Sequence, residues 1–340
     1  MRPLWVVLLL VVKTTLGFQG EIFKGQQPDL FSVDENPKLR SEAWLRNVAS
    51  LPRSRMLRRV GSHLTFTGLW TVSVVALNYE MPGLLPTVDA QPVQIVSTCI
   101  TIMLGFRTNQ SYDRFWEGRN AWSEIWASCR SISRIGATYY AEDPQLWEAT
   151  LALVATFPKA LVAHLRNQTD TDNINDIYET FLSDNSPHKH LLRQRSHDRN
   201  VPVAILDDVS KSFRDLRRRQ INNKDEFPVA NLEQHLDRLS RALCACERIV
   251  MTPVPPSYTR HTSRVTTRWS LCLPFCFDQR EQPFVVVLSV LLVSWALYTL
   301  EEIGKVIEEP FGSDAEDLAL DLPLDNYATL IAQDVMRSVY

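Results

Sequence analysis

The stretch LGFRTNQSYDRFWEGRNAW (residues 104–122) begins at the end of a run of seventeen uncharged residues, 90–106. It mixes Arg, Asp and Glu with Trp, Phe and Tyr. Charged groups among aromatic residues at the end of a membrane-length apolar run are costly to bury unless they pair. The stretch therefore predicts a membrane helix that ends in charged groups paired with one another or with a partner subunit.

The composition narrows the classes of protein. The chain has 340 residues and a formal charge of −3, enough length for one large domain or two ordinary ones. Its pI near 6.2 leaves no basic excess to neutralise phosphates, which argues against a general nucleic-acid-binding protein. The mean hydropathy of −0.13 conceals apolar runs that alternate with a polar region, 165–250. This pattern is typical of a membrane protein with a large aqueous part.

The N-terminus has the pattern of a targeting signal. Arg2 precedes an apolar run at 4–12, which is too short to span a membrane, so we predict a signal peptide at 1–17. Cleavage there would expose Phe18, and residues 18–45 would form a transit peptide or flexible extension. A signal peptide followed by Phe resembles the two-part import signal of complex plastids. The alternative is an ordinary secretory signal, leading to an endomembrane or the plasma membrane.

Four apolar segments are candidates to cross a membrane as helices. The first, 60–79, has no Lys, Arg, Asp or Glu, and the basic residues of 38–60 place its start on the cytosolic or stromal side. The second is 90–106, the third and shortest is 269–277, and the fourth is 283–300. After four crossings the chain returns to the cytosolic or stromal side, where its C-terminus would also lie.

These segments predict an all-α membrane protein with a large cytosolic or stromal helical domain. Its parts are a basic entry helix with the first two membrane helices at 46–106 (pore helix 90–106), the helical domain at 107–260, the third and fourth membrane helices at 261–303, and an acidic C-terminal segment at 304–340. Residues 146–165 are apolar enough for another crossing, but Glu148, Pro158 and Lys159 interrupt them. We therefore predict that they form a buried helix of the aqueous domain.

Cysteine spacing offers a metal site as an alternative. The six cysteines are Cys99, Cys129, Cys244, Cys246, Cys272 and Cys276. Two pairs are close in sequence, but no nearby His or further Cys pair completes a zinc-binding set. We predict unligated thiols and no metal.

One face of the second membrane segment is a candidate pore lining. Thr98, Ile102 and Phe106 lie four residues apart, so they share a helical face. In a monomer this is an ordinary apolar stripe. In a symmetric oligomer each residue becomes a ring, and stacked rings form an apolar neck that can gate by dewetting. The absence of acidic residues between Asp89 and Asp113, together with helix N-termini directed at the axis, would favour anions.

Three segments together resemble one family. They are LGFRTNQSYDRFWEGRNAWSEIW (104–126), ERIVMTPVPPSYTRHTSR (247–264) and EEIGKVIEEPFGSDAEDLALD (301–321). Their content, order and spacing are similar to those of the bestrophins, in the bacterial and plastid form. The resemblance covers about residues 45–335.

The resemblance implies a homopentameric anion channel with a central pore. Thr98, Ile102 and Phe106 fall on the positions of the family's neck. A second, cytosolic constriction follows a proline in the family, and the local pattern Val-Pro-Val at 201–203 places it at Val203, with Ile205 as the competing position.

The acidic C-terminal segment has two interpretations. Clustered carboxylates suit Ca²⁺, and resemblance to animal bestrophins matches Asp314 and Asp317 to calcium ligands, whereas Val306 and Glu309 replace the amide-bearing ones. The alternative is a solvated acidic segment that pairs with arginines of 104–122. We predict the second, with no cofactor and no calcium dependence.

The charged residues of the signature could also suggest catalysis. Arg107, Arg114 and Arg119 alternate with acids such as Glu117 at helical spacing, which favours structural ion pairs between subunits. His261 has no nucleophile and acid placed with it in the sequence. We therefore expect no enzyme.

The sequence thus predicts an integral membrane channel for chloride, with bicarbonate and nitrate as further candidates. Its partners would be copies of itself, membrane lipids and the permeant anions, and no nucleic acid. In a plastid it would balance charge across the thylakoid membrane or supply bicarbonate. The alternatives are an alternating-access anion carrier, which usually shows paired halves, and a non-conducting membrane scaffold.

Overall fold

The computed structural model describes residues 55–140, 144–167, 200–219, 227–277, 282–312 and 322–337. Within these ranges the chain is helical and contains no strand. The helices are α1 (Arg55–Glu80), α2 (Ala90–Tyr139), α3 (Pro144–Leu165), α4 (Val201–Arg219), α5 (Phe227–Met251), α6 (Pro256–Cys272), a 3₁₀ turn (Leu273–Cys276), α7 (Pro283–Glu308) and α8 (Leu324–Met336). The predicted signal and transit segments, 1–17 and 18–45, lie outside the described residues.

The chain divides into two compact units. Unit 1 comprises residues 1–109 and 255–305, and unit 2 comprises 110–254 and 306–340. α1, the first part of α2, α6 and most of α7 belong to unit 1. α3, α4, α5 and α8 belong to unit 2. The predicted membrane and aqueous segments stay a prediction, because these units are defined without a membrane.

Among the described residues, three helices are long and apolar enough to cross a membrane, judged by length and composition: 56–80, 146–165 and 283–308. The predicted crossings 90–106 and 269–277 are not among these three and stay predictions. The three helices differ in burial. The most apolar window is 78% buried inside the protein for 146–165, against 28% for each of the other two. α3 packs against α4 and α8 and supplies much of the unit 2 core, including Leu151 and Phe157. Residues 146–165 therefore form a buried helix of unit 2, as predicted.

α2 continues well beyond the predicted pore helix 90–106 and runs unbroken for 50 residues. Its sequence has no proline after Pro92 and only isolated glycines, which a helix tolerates. In unit 1 its buried face includes Ile100 and Leu104, which pack with Trp269 of α6. In unit 2 its buried side chains, such as Trp122 and Ile125, join the core.

α6 begins with Pro256, directly after Pro255 at its N-cap. A proline in the first turn is favourable because its missing N–H would have no helical partner there. The hydroxyl groups of Thr262 and Thr266 donate to carbonyls four residues earlier, which satisfies buried polar groups within the helix. Arg260, Arg264 and Arg268 lie four residues apart on this helix, so their exposed side chains share one face.

Candidate functional site

The outward face of α2 in unit 1 carries the predicted neck residues. Ile102 and Phe106 are 53% and 64% exposed, and Thr98 is exposed. Ile100 and Leu104, on the opposite face, are each 1% exposed. Large apolar side chains on the outward face leave an apolar stripe that unit 1 does not cover.

The rotation of this part of α2 is held by contacts from α6. The indole N–H of Trp269 donates to the carbonyl of Val93 at 2.9 Å, and the hydroxyl of Tyr258 donates to the carbonyl of Met103 at 3.2 Å. The two contacts lie ten residues apart along α2, about 15 Å. They hold the buried face of α2 against α6 and turn Thr98, Ile102 and Phe106 outward.

Arg107, which follows the last neck residue, is buried beside a glutamate of α7. Its Nη1 lies 4.0 Å from Oε1 of Glu301, and the two side chains are 1% and 4% exposed. Lys305 also contacts Glu301, at 3.0 Å. A more exposed pair in unit 1 joins Arg59 of α1 to Glu302 of α7 at 3.1 Å. A buried charge is stable only with such partners.

The other signature residues lie in unit 2 and bind different groups. Arg114 donates to the backbone carbonyls of Ile249 at 2.7 Å, of Thr252, and of Glu308 at 3.2 Å. These carbonyls lie at or just beyond the C-terminal ends of α5 and α7, where helices leave carbonyls without helical partners. One guanidinium group therefore satisfies carbonyls from two helix ends.

Glu117 and Arg119 complete the signature. Glu117 forms an ion pair with Arg248 of α5. Arg119 donates to the hydroxyl of Ser123 at 2.6 Å, and its guanidinium lies 5.0 Å from the ring centre of Tyr327. Within one chain, the partners of these arginines include residues distant in sequence and neutral groups. Pairing between subunits stays a prediction.

The two candidates for the cytosolic aperture differ in burial. Val203 lies in the first turn of α4 and is 41% exposed, whereas Ile205 is fully buried in the unit 2 core. The backbone N–H of Val203 donates to the side-chain carbonyl of Asn200 at 3.3 Å. Of the two side chains, only that of Val203 is open to contact an ion.

The candidate calcium ligands Asp314 and Asp317 lie outside the described residues. Among the residues that the structure describes, no group of three or more His, Cys, Asp or Glu side chains is placed to hold a metal ion. The prediction of no metal and no cofactor is not tested by this, and it stays a prediction.

The whole-chain comparisons decide the family. The family profile described as "Bacterial/Fungal Bestrophin protein" matches residues 36–335. The chain belongs to the bestrophin family. This confirms the resemblance predicted from the three sequence segments.

Relatives and solved structures agree with this assignment. A "voltage-dependent chloride channel 2, chloroplastic" of Arabidopsis thaliana is 29% identical over 86% of this bestrophin and 71% of its own length. A voltage-dependent anion channel-forming protein of Ralstonia nicotianae is 29% identical, over 80% of this chain and 84% of its own. A bacterial bestrophin homologue from Klebsiella pneumoniae has the same fold, with a TM-score of 0.71 and 22% identity, over 82% of this chain and 97% of that chain.

The cysteines of this bestrophin give a testable contrast. Burial raises the pKa of the Cys129 thiol to about 12. Burial, followed by the carboxylates of Glu117 and Glu247, raises the pKa of Cys246 to about 12 as well. Cys244, two residues away on the same helix, is exposed.

A maleimide reagent at pH 8 should therefore modify Cys244 quickly and leave Cys129 and Cys246 unmodified in the folded protein. With a pKa of about 12, only about one buried thiol in ten thousand is thiolate, the reactive form, at that pH. Peptide mass spectrometry before and after denaturation measures the modification. Equal labelling of Cys244 and Cys246 in the folded state would contradict the burial of Cys246.

Proposed function

We propose that this bestrophin is an anion channel that assembles as a homopentamer around a pore lined by α2. The observation that carries the proposal is the uncovered apolar stripe of Thr98, Ile102 and Phe106. Around a symmetry axis each of these positions forms a ring, and rings of Ile and Phe form a narrow apolar neck. The names of the relatives, which are voltage-dependent anion or chloride channels, support the same function.

Preference for anions has a physical basis in the charges of unit 1. No acidic residue occurs between Asp89 and Asp113, whereas Arg260, Arg264 and Arg268 are exposed on α6. The carboxylate of Asp89 accepts the backbone N–H of Gln91 at 3.1 Å, so it offsets the positive end of the α2 dipole. We therefore assign the preference to the lack of acids along the neck and to the positive charge of α6 elsewhere in unit 1, rather than to the start of α2.

Val203 is the proposed cytosolic aperture. A ring-forming side chain must be open to solvent in the single chain, and the exposure of Val203 supports it over Ile205. The proposed apertures are thus an apolar neck in unit 1 and one valine ring in unit 2. Both would select among anions by how easily each anion loses its water, since neither offers a charged side chain.

The proposed permeant ion is chloride, with bicarbonate and nitrate as further candidates, and the proposed location is the thylakoid membrane. The chloroplast location of the Arabidopsis relatives and the two-part pattern of residues 1–17 and 18–45 support a plastid. There the channel would balance the charge of proton pumping or supply bicarbonate. Finding a tagged protein at the plasma membrane or in the secretory pathway would contradict this location.

Planar-bilayer recording tests the channel. The purified full chain should give discrete current steps and, under asymmetric chloride, a reversal potential near the chloride value. Phe106→Ala should widen the neck and raise single-channel conductance, and its exposure means that the fold should be unaffected. Phe284→Ala is the matched control, because Phe284 is 55% exposed but lies on α7.

The outcomes separate the alternatives. Chloride flux in vesicles without current steps would favour an alternating-access carrier. No flux from correctly assembled protein would favour a scaffold. Equal effects of Phe106→Ala and Phe284→Ala would show that the neck lies elsewhere.

A further inference from the structure

The start of α4 is capped by Asn200. The backbone carbonyl of Asn200 accepts the N–H of Ala204 at 3.3 Å, and its side-chain carbonyl accepts the N–H of Val203 at 3.3 Å. This is the pattern of an N-cap residue, whose side chain bonds the third residue of the helix. Pro202, between them, has no N–H to offer. The cap therefore acts on the residue proposed to form the aperture.

The other end of the Asn200 amide is held by a carboxylate. Nδ2 of Asn200 donates to Oε1 of Glu247 on α5 at 2.7 Å. The same oxygen lies 2.9 Å from Nε2 of His164 on α3. Glu247 and His164 have side chains 19% and 23% exposed, so solvent screens these contacts only in part. Three helices of unit 2 thus meet at one polar cluster, which consists of Asn200, Glu247 and His164.

The chemistry of this cluster sets the orientation of the amide. An ionised carboxylate only accepts hydrogen bonds, so Asn200 must turn its NH₂ group toward Glu247. Its carbonyl oxygen then points at the first turn of α4, where only a hydrogen-bond acceptor can satisfy the N–H of Val203. A flipped amide would place two acceptors together and two donors together. Glu247 therefore selects the rotamer of Asn200 that caps the helix.

We propose that Asn200 is a positioning residue for the aperture, held in its capping orientation by Glu247 and His164. The proposal rests on the proposed function, because it takes Val203 as the aperture residue. The cap holds the first turn of α4, and so fixes the direction of the Val203 side chain. Loss of an N-cap disfavours the ordered first turn on the order of fivefold, so the ring would become looser and less selective.

Reversal potentials of the full chain with chloride on one side of a bilayer and nitrate on the other test this. Asn200→Ala should move the chloride-to-nitrate permeability ratio in the same direction as Val203→Ala. In a protein that already carries Val203→Ala, the further change Asn200→Ala should not alter the permeability ratio, because the side chain that Asn200 would position is gone. A merely structural role would give additive effects of the two substitutions.

Two capping-competent substitutions test the part of Glu247. Ser and Asp cap helices about as well as Asn, so both variants should fold. Asn200→Ser should keep the wild-type permeability ratio. Asn200→Asp should lose it, because its carboxylate would face that of Glu247. Asp325→Asn is the control. Asp325 pairs at 2.8 Å with Arg166, two residues after His164, but its side chain is 71% exposed, so removing its charge should leave the permeability ratio unchanged.

Each result decides between the two proposals. Suppose that the wild type conducts and that Val203→Ala changes the permeability ratio. If Asn200→Ala and Asn200→Asp then leave the ratio unchanged, the positioning role is wrong and the channel stands. Equal ratios for Asn200→Ser and Asn200→Asp would also overturn the role of Glu247. If Val203→Ala leaves the ratio unchanged, the aperture is misplaced and the positioning role falls with it. A silent wild type overturns the proposed function and this inference together.

Discussion

Gly136→Ala should destabilise unit 2 by about 2 kcal/mol, because the ring of Trp147 occupies the place of the new methyl group. A Cβ at Gly136 would lie 1.6 Å from Cζ2 of Trp147. Carbon atoms in contact are about 3.5 Å apart, so the ring would have to retreat by about 2 Å. Trp147 is buried and stacks on Tyr140 with ring centres 5.9 Å apart, so its movement would disturb packed neighbours.

Two opposing contributions give this figure. Overpacking of this severity lies at the upper end of the usual range, about 3 kcal/mol. Replacing a helical glycine by alanine returns about 1 kcal/mol through the backbone entropy of the unfolded chain. The overlap is therefore the larger effect, and the net change is destabilising.

Thermal unfolding of the detergent-solubilised protein, followed by tryptophan fluorescence, measures the change. Gly61→Ala is the control, because nothing lies within 4 Å of a Cβ at Gly61 on α1; this variant should be as stable as the wild type or more so. Trp147→Leu combined with Gly136→Ala should cost less than the sum of the single changes, since the smaller side chain relieves the overlap. A Gly136→Ala protein as stable as the Gly61→Ala protein would show that α2 and α3 do not pack against each other at Gly136 and Trp147.

Periodic features of the sequence predicted their structures well. Thr98, Ile102 and Phe106, four residues apart, were predicted to share one helical face, and all three are exposed on α2. The interruptions at Glu148, Pro158 and Lys159 favoured a buried helix over a membrane crossing, and the helix is buried inside unit 2. These features are local, and local spacing determines which residues share a helical face.

The partners of the signature residues could not be predicted in the same way. Helical spacing favoured ion pairs between subunits for Arg107, Arg114 and Arg119, which stay a prediction, but it named no partner within the chain. Within the chain, Arg107 lies beside Glu301, and Arg114 bonds backbone carbonyls 135 to 194 residues away in sequence. Such contacts depend on which helices meet in the fold, and a carbonyl acceptor leaves no trace in the amino-acid sequence. The family segment 301–321 was the one signal that pointed to Glu301.

Glu301→Gln should have the largest effect on stability of the substitutions considered, a loss of about 3–5 kcal/mol. The change removes the carboxylate beside Arg107, whose side chain is 1% exposed. A guanidinium group stays charged at any pH that a protein survives, so it cannot escape the cost by losing a proton. The thermal unfolding midpoint in detergent measures the loss.

The neighbouring glutamate provides a control on the same helix. Glu302 pairs with Arg59, whose side chain is 35% exposed, and exposed ion pairs contribute at most about 1 kcal/mol. Glu302→Gln should therefore change the unfolding midpoint little. Similar losses for Glu301→Gln and Glu302→Gln would show that Arg107 and Glu301 are not a buried pair.

The buried pair also bears on the proposed pore, because it limits the rotation of α2. Consecutive residues of a helix point about 100° apart, so burial of Arg107 against Glu301 holds Phe106 on the outward face. Replacing both partners by apolar residues, Arg107→Met with Glu301→Leu, should restore much of the stability that Glu301→Gln loses, since both buried charges of this pair are removed together. If the double variant is stable and its conductance is that of the wild type, the apolar packing of Ile100 and Leu104 suffices to orient the neck. If it is stable with altered conductance, the charge pair sets the position of Phe106 in the proposed neck.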